Sequence, residues 1–399
     1  MNASSSLVDL TPVVRLALTA FTLALIPLGW WWLRHRSVGP AARLRALTLL
    51  TLFLTFDLVM FGAFTRLTDS GLGCPDWPGC YGNASPVGAH SEIHAAQTAM
   101  PSGPVTRGKA WVEMVHRYLA MGVGLLITVL AIGSWVVHWR GMRQGEARGG
   151  PAPVSPWWAT ATFAWVCLQG AFGAWTVTMK LYPAIVTGHL LGGIGLMVLL
   201  AAQSQGYVRA PLVMSRALAG AVAAVALLSI AQVTLGGWVS TNYAVLACSD
   251  FPTCQGSWWP PMDFEAGFTV LRPLGLGPHG EPIPFAALTA IHVVHRLGAL
   301  VVVVAVAALA WRLFASGDRA LRRWAAMIAG VALWQVATGT SNVVLGWPLV
   351  AAVAHTGGAA VLITLLTVLL ARAQQGRRVL REPPLASQGL AATVPQGRS

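Results

Sequence analysis

Apolar residues fill nine runs along the chain, roughly 13–33, 44–66, 112–138, 157–179, 184–206, 216–240, 286–314, 321–344 and 349–371, and polar residues gather between them. Each run is long enough to cross the roughly 30 Å hydrocarbon layer as a helix. The pattern predicts nine membrane spans, hence an all-α polytopic membrane protein. The first run has a single early arginine, Arg15, and no small-x-small cleavage site. It ends in Trp30-Trp31-Trp32-Leu33-Arg34-His35-Arg36, which marks a retained anchor rather than a cleaved signal.

Composition agrees with the pattern. Of 399 residues, 55% are hydrophobic and 10% charged, against about 25% charged in soluble domains. An ordinary soluble enzyme, a disordered chain and a nucleic-acid-binding domain are thereby excluded. The net charge of +13 sits in short loops. One set of loops and the tail carry Arg34, Arg36, Arg43, Arg45, Arg140, Arg143, Arg148, Arg209, Arg216, Arg312, Arg319, Arg322, Arg323, Arg372, Arg377, Arg378, Arg381 and Arg398. The opposite set has only Arg107, Lys109, Lys180 and Arg272. The positive-inside rule makes the first set cytoplasmic. The N-terminus and two long loops, about 67–111 and 241–285, then face outside.

The two outer loops are related. Leu72-Gly73-Cys74-Pro75-Asp76-Trp77-Pro78-Gly79-Cys80 aligns without gaps to Leu246-Ala247-Cys248-Ser249-Asp250-Phe251-Pro252-Thr253-Cys254, with five of nine positions identical. Each loop is followed by a span bearing His-Arg near its outer end, His116-Arg117 and His295-Arg296. Two spans later each half has another histidine, His189 and His355. The chain therefore reads as two like-oriented four-span bundles after an additional first helix, a parallel repeat about an axis along the membrane normal. The expected divisions are 1–43 (extra helix and loop), 44–210, 211–375 and a disordered cytoplasmic tail, 376–399.

Five histidines, His116, His189, His292, His295 and His355, lie within about three helical turns of the outer end of a span. One intramembrane histidine alone reads equally well as an interhelical hydrogen-bonder. Two at equal depth in one four-helix unit suggest the axial ligands of a heme. Zinc would call for thiolate or carboxylate ligands, which the spans scarcely supply. Arg117 and Arg296 could meet heme propionates, or snorkel to the interface. His292 lies one turn from His295 on the same helix face, and the repeat favours His295 as the ligand.

Glu113 lies one turn outward of His116, and its counterpart in the second half is His292. A carboxylate at that depth is expensive and often functional. Beside a heme edge it could act as a general base; the alternative is a pairing with Lys109 or Arg117. Asp57 reads as a buried polar contact. The pairs Cys74/Cys80 and Cys248/Cys254 read as local disulfides in a compartment that permits them. Zinc on Cys74, Cys80, His90 and His94, or redox-active thiols, are the alternatives. Cys167, inside a span, reads as a small packing residue.

Taken together, Thr65-Arg66-Leu67-Thr68-Asp69-Ser70-Gly71-Leu72 running into the first cysteine loop, Glu113-Met114-Val115-His116-Arg117, Thr187-Gly188-His189, His295-Arg296 and Ala354-His355-Thr356-Gly357-Gly358 resemble the heme A synthases. The resemblance covers about 44–371; the first helix is additional to that family's eight spans. It implies conversion of heme O to heme A, by two hydroxylations of a porphyrin methyl and loss of water. His116 and His189 would hold the substrate heme and His295 and His355 the iron of a resident heme b. Glu113 would be catalytic, and the cysteine pairs would be the family's outer-loop disulfides. The implied setting is a bacterial inner membrane, with membrane lipid around the chain. Implied partners are heme O synthase, cytochrome oxidase assembly and a second copy of the chain. A purely electron-carrying diheme cytochrome and a heme transporter are the rival functions.

Overall fold

The computed structural model describes residues 11–143 and 155–380. The expected tail beyond 380 and Arg148 lie outside the described residues. Eleven α-helices make up the described part: α1 (Thr11–His35), α2 (Pro40–Leu67), α3 (His90–Ala99), α4 (Arg107–Arg143), α5 (Pro156–Thr178), α6 (Pro183–Gly206), α7 (Arg216–Thr241), α8 (Phe264–Phe268), α9 (Phe285–Ala315), α10 (Arg319–Val344) and α11 (Leu349–Val379). All nine expected runs are helical. The short α3 and α8 lie in the two long loops that carry the cysteine pairs, where no apolar run announced them. No strand occurs among the described residues.

Helix starts follow from local chemistry. Pro40, Pro156 and Pro183 stand in the first helical turn, where proline's missing N–H is no loss. Ser215 accepts from the Leu218 N–H, and Asp318 from the Ala320 and Leu321 N–H groups, as N-caps do. Helices α4 and α11 outrun their apolar stretches, because a hydrocarbon boundary does not end a helix. The last turns of α11 reach Val379, so the expected tail begins later than 376.

Seven helices, α1, α2, α4, α6, α7, α9 and α11, are long and apolar enough to cross a membrane. The chain is a multi-pass membrane protein. Helices α5 and α10 are of similar length; α5 carries four tryptophans, Trp157, Trp158, Trp165 and Trp175, and α10 carries Arg319, Arg322 and Arg323.

Helix α2 packs on α4 and α6, and α5 packs on the same two, so the four close a ring. Helices α7, α9, α10 and α11 close a second ring in the same order. Helix α1 lies outside, against α4 and α2. The first ring is cored by Leu47, Leu126, Ile127, Leu130 and Leu200, the second by Val222, Val306, Leu313, Ile328, Leu366 and Leu369. Between the rings α11 meets α2 and α6, and α6 meets α7, around buried Ile194, Met197, Ala360 and Ile363. At the inner end Gln375 holds the connecting segment. Its amide donates to the Gln205 and Val208 carbonyls, 2.7 and 3.0 Å, and accepts from the Ala210 N–H.

At the outer end, equivalent positions of the two halves touch. Arg66 donates to the Ser240 carbonyl at 2.6 Å, and the Tyr243 hydroxyl donates to Asp69. Both pairs are 174 residues apart, the separation of Cys74 from Cys248. Contact between equivalent positions is what a two-fold relation produces at its axis. The Arg66 guanidinium also lies 4.0 Å from the Tyr243 ring centre, a cation–π contact.

Candidate functional site

The two cysteine loops are closed by local bonding. Cys74 is bonded to Cys80 and Cys248 to Cys254. The carboxylate of Asp76 accepts from the Tyr81 and Gly82 N–H groups at 2.6 and 2.8 Å. Asp250 does the same for Gln255 and Gly256, at 2.6 and 3.0 Å. Gly82 and Gly256 have φ of 69° and 70°, the left-handed region that glycine enters without strain. The aspartate common to both cysteine loops is thus a turn-maker.

The Thr253 hydroxyl, ahead of the Gly256 and Gln255 amides, holds the Asp250 carboxyl below the usual aspartate range. A depressed pKa stabilises the turn above the unfolded value and loses that support as pH falls through the folded one. Slow exchange of the Gln255 and Gly256 amides should therefore persist through mild acid and end only below the ordinary aspartate range. Loss of protection near neutral pH, in a hydrogen-exchange titration, would contradict this.

Beneath each loop an arginine gathers its carbonyls. Arg117, buried, donates to the carbonyls of Asp76, Pro78 and Gly79. Arg296 donates to those of Thr253, Cys248 and Asp250, at 2.8, 3.2 and 3.0 Å. The sequence offered these arginines propionates or the interface; the structure gives each three loop carbonyls. Nε of Arg296 is left buried without a partner.

Glu113 is buried directly below the first disulfide. Its Oε2 accepts the Cys74 N–H at 2.7 Å and its Oε1 pairs with Arg117 at 2.5 Å. Of the two pairings weighed for it, Arg117 is the one formed; Lys109 reaches the Gly103 carbonyl instead. In the second half His292 takes the equivalent place, its Nδ1 3.0 Å from the Ala244 carbonyl. The two loops are alike, and the groups beneath them differ.

One turn deeper lie the four imidazoles. His116 on α4 and His189 on α6 stand on opposite helices of the first ring, as His295 on α9 and His355 on α11 do in the second. Each presses its Cε1 edge on a glycine of a neighbouring helix. A β-carbon on Gly62, Gly173, Gly236 or Gly339 would stand 3.1, 3.5, 3.1 and 3.1 Å from Cε1 of His116, His189, His295 and His355 in turn. The His116 ring also stacks on Phe61, with 6.2 Å between centres. Nδ1 of His116 and of His189 is buried without a partner. Nδ1 of His355 is 2.9 Å from the Thr338 hydroxyl, and Nδ1 of His295 is 2.9 Å from the Gln232 amide. Glycine-backed imidazoles, paired across a helical ring, fit a porphyrin iron taking one nitrogen from each side.

Those glycines, Gln232 and Thr338 escaped the sequence reading. A signal was there for some: Gly62 and Gly236 share the separation of the cysteine loops, and Gly173 and Gly339 that of His189 and His355. Other expectations resolve as follows. Among the described residues no cluster of three His, Cys, Asp or Glu is arranged to hold a metal ion, and the disulfides remove the thiolates a loop zinc would need. His90 and His94 stack on each other along α3. Cys167 is exposed on α5 rather than packed inside. Asp57 is exposed on α2 and not the buried contact expected, because it points out of the helical ring with Phe53, one turn away.

Fold and site together define a polytopic helical membrane protein with two unlike imidazole pairs beneath disulfide-closed loops. The family model COX15-CtaA, described as cytochrome oxidase assembly protein, matches residues 45–367. The chain belongs to that family. The Heme A synthase of Shewanella oneidensis is 38% identical over 327 residues, covering 80% of this chain and 93% of that protein. The Heme A synthase of Rhizorhabdus wittichii is 28% identical, covering 84% and 95%. That of Halalkalibacterium halodurans is 26% identical, covering 78% and 91%. The extra helix α1 lies before the matched residues.

Proposed function

We propose that this chain is a heme A synthase, an oxidoreductase of heme A biosynthesis whose substrate is heme O. The methyl carbon of the porphyrin loses four electrons in two two-electron steps to an external electron acceptor, gaining a hydroxyl at each step, and loss of water from the resulting diol leaves the formyl group. The observation that carries the reading is the unlike pair of sites, a carboxylate over one imidazole pair and a histidine over the other.

In this reading residues 44–210 form the substrate half, with heme O between His116 and His189. Residues 211–375 form the resident half, with heme b on His295 and His355. A heme b bound there supplies one-electron chemistry. Glu113 stands next to the substrate pair as the proton acceptor. Both its oxygens are engaged, yet a carboxylate has about four acceptor positions in all, and the remaining ones can take a substrate proton. Arg117 and Arg296 chiefly anchor the loops; they meet propionates only through N–H groups that the carbonyls leave over, such as Nε of Arg296. The cysteine loops and N-terminus face outside and the C-terminus the cytoplasm, as the arginine distribution supports. A bacterial inner membrane is the setting. Heme O synthase as donor and the assembling oxidase as recipient are the natural partners.

A diheme electron carrier would need both hemes to stay in place and has no use for Glu113. Extraction of pigment from purified protein separates the readings: heme A and a hydroxylated heme O intermediate are expected, and heme B alone would favour the carrier. His355→Ala should abolish the low-spin signal of the resident heme. An unchanged optical spectrum would refute that ligand.

A further inference from the structure

We propose that Thr338 and Gln232 are positioning residues that make His355 and His295 a holding pair, whereas His116 and His189, lacking such partners, form a releasing pair. The proposal rests on the reading of these histidines as heme ligands. It goes beyond that reading by naming side chains that touch neither iron nor porphyrin.

The Thr338 hydroxyl donates to the Trp334 carbonyl at 2.8 Å. Its proton is therefore committed to the backbone, and towards Nδ1 of His355, 2.9 Å away, the oxygen can only accept. That places the ring proton on Nδ1 and leaves the Nε2 lone pair free for a metal, the arrangement that fixes tautomer and ring orientation in histidine ligands. The backbone of His355 is held too, its carbonyl accepting from Gln335 at 2.9 Å. Gln232 lies 2.9 Å from Nδ1 and 2.9 Å from the carbonyl oxygen of His295, while its own Oε1 is buried without a partner. One amide group thus steadies both the ring and the backbone of His295.

The first half shows what happens without these groups. Counting by the separation of His189 from His355, the position of Thr338 is Phe172. Counting by that of Cys74 from Cys248, the position of Gln232 is Leu58. Neither side chain can accept or donate a hydrogen bond, and Nδ1 of both His116 and His189 is buried without a partner. Rings held by packing alone can turn away from an iron with no bond to break. The glycine contacts are common to all four histidines, so the halves differ in the side-chain hydrogen bonds that reach Nδ1 and the backbone carbonyl of His295 and His355.

The test uses the full-length protein purified with heme b bound. Thr338→Val keeps the shape and removes the oxygen. It should shift the low-spin electron-paramagnetic g values, raise the midpoint potential, because a less electron-rich imidazole favours ferrous iron, and speed transfer of heme to apomyoglobin by about 10–100-fold. Thr338→Ser should restore all three, which a merely structural role would not do. Gln232→Leu, the residue found at the equivalent position, should act in the same direction. Where Thr338→Val gives no folded protein, Thr338→Ala is read the same way. Wild-type g values, potential and transfer rate in both the Thr338 and Gln232 variants overturn the proposal while leaving the ligand reading intact. A wild-type preparation with no bis-histidine heme brings down both.

Discussion

Glu113→Gln is expected to arrest oxidation of the heme O methyl while the resident heme stays bound. The substitution preserves size, so the pocket beneath the first disulfide stays filled. Gln can still accept the Cys74 N–H with its one carbonyl oxygen, and Arg117 keeps its three loop carbonyls. What disappears is the negative charge and the ability to take a proton. Loss of a general base lowers rates by about 10²–10⁴-fold, so substrate heme should accumulate unoxidised. Pigment analysis after timed supply of heme O measures this, with the spectrum of the resident heme as internal control. Conversion at the normal rate would remove Glu113 from the chemistry and leave it a loop anchor.

Two glycine variants should separate the halves as sharply. Gly236→Val puts branched carbon where even a β-carbon comes within 3.1 Å of the His295 ring, and Gly62→Val does so for His116. Overpacking of this kind costs about 1–3 kcal/mol when the neighbours can yield, and the imidazole is the group that must yield. Gly236→Val should abolish the resident heme. Gly62→Val should spare it and abolish retention of heme O. Gly220→Val on α7, exposed and with no atom within 4 Å of the added carbon, controls for the change in helix propensity that the substitution itself brings. Equal heme loss from both variants, or from the control, would show that helix stability and not ring displacement is being read.

The helices were legible because a membrane span must be apolar over its whole length, a demand written in consecutive residues. The duplicated loops and the His-Arg pairs were legible because both copies kept their letters. Helix α5, rich in tryptophan, and α10, with three arginines, were found too, since length and position in the repeat sufficed. The loop carbonyls that Arg117 and Arg296 gather were not legible, because every residue has a backbone carbonyl and no side chain marks these. The glycines behind the histidines were hidden for a related reason. In a membrane chain with 42 glycines, several of them at close helix contacts, only the neighbouring helix tells which four back an imidazole. Helix α3, with its histidines and Glu92, lacked the apolar stripe that would have announced it.

The contacts at the outer rim bear on how the two copies came to live in one polypeptide. In a dimer of identical chains, a residue beside the symmetry axis confronts itself. A homodimer of the first half would oppose arginine with arginine at position 66 and aspartate with aspartate at 69, and like charges repel. Here the partners are a serine carbonyl and a tyrosine hydroxyl. Only a tandem gene product, whose copies mutate separately, can seat a cation and an acid there opposite groups that welcome them. The join between the copies is thus a licence for each side to specialise, and the same licence let one half keep a carboxylate where the other has an imidazole.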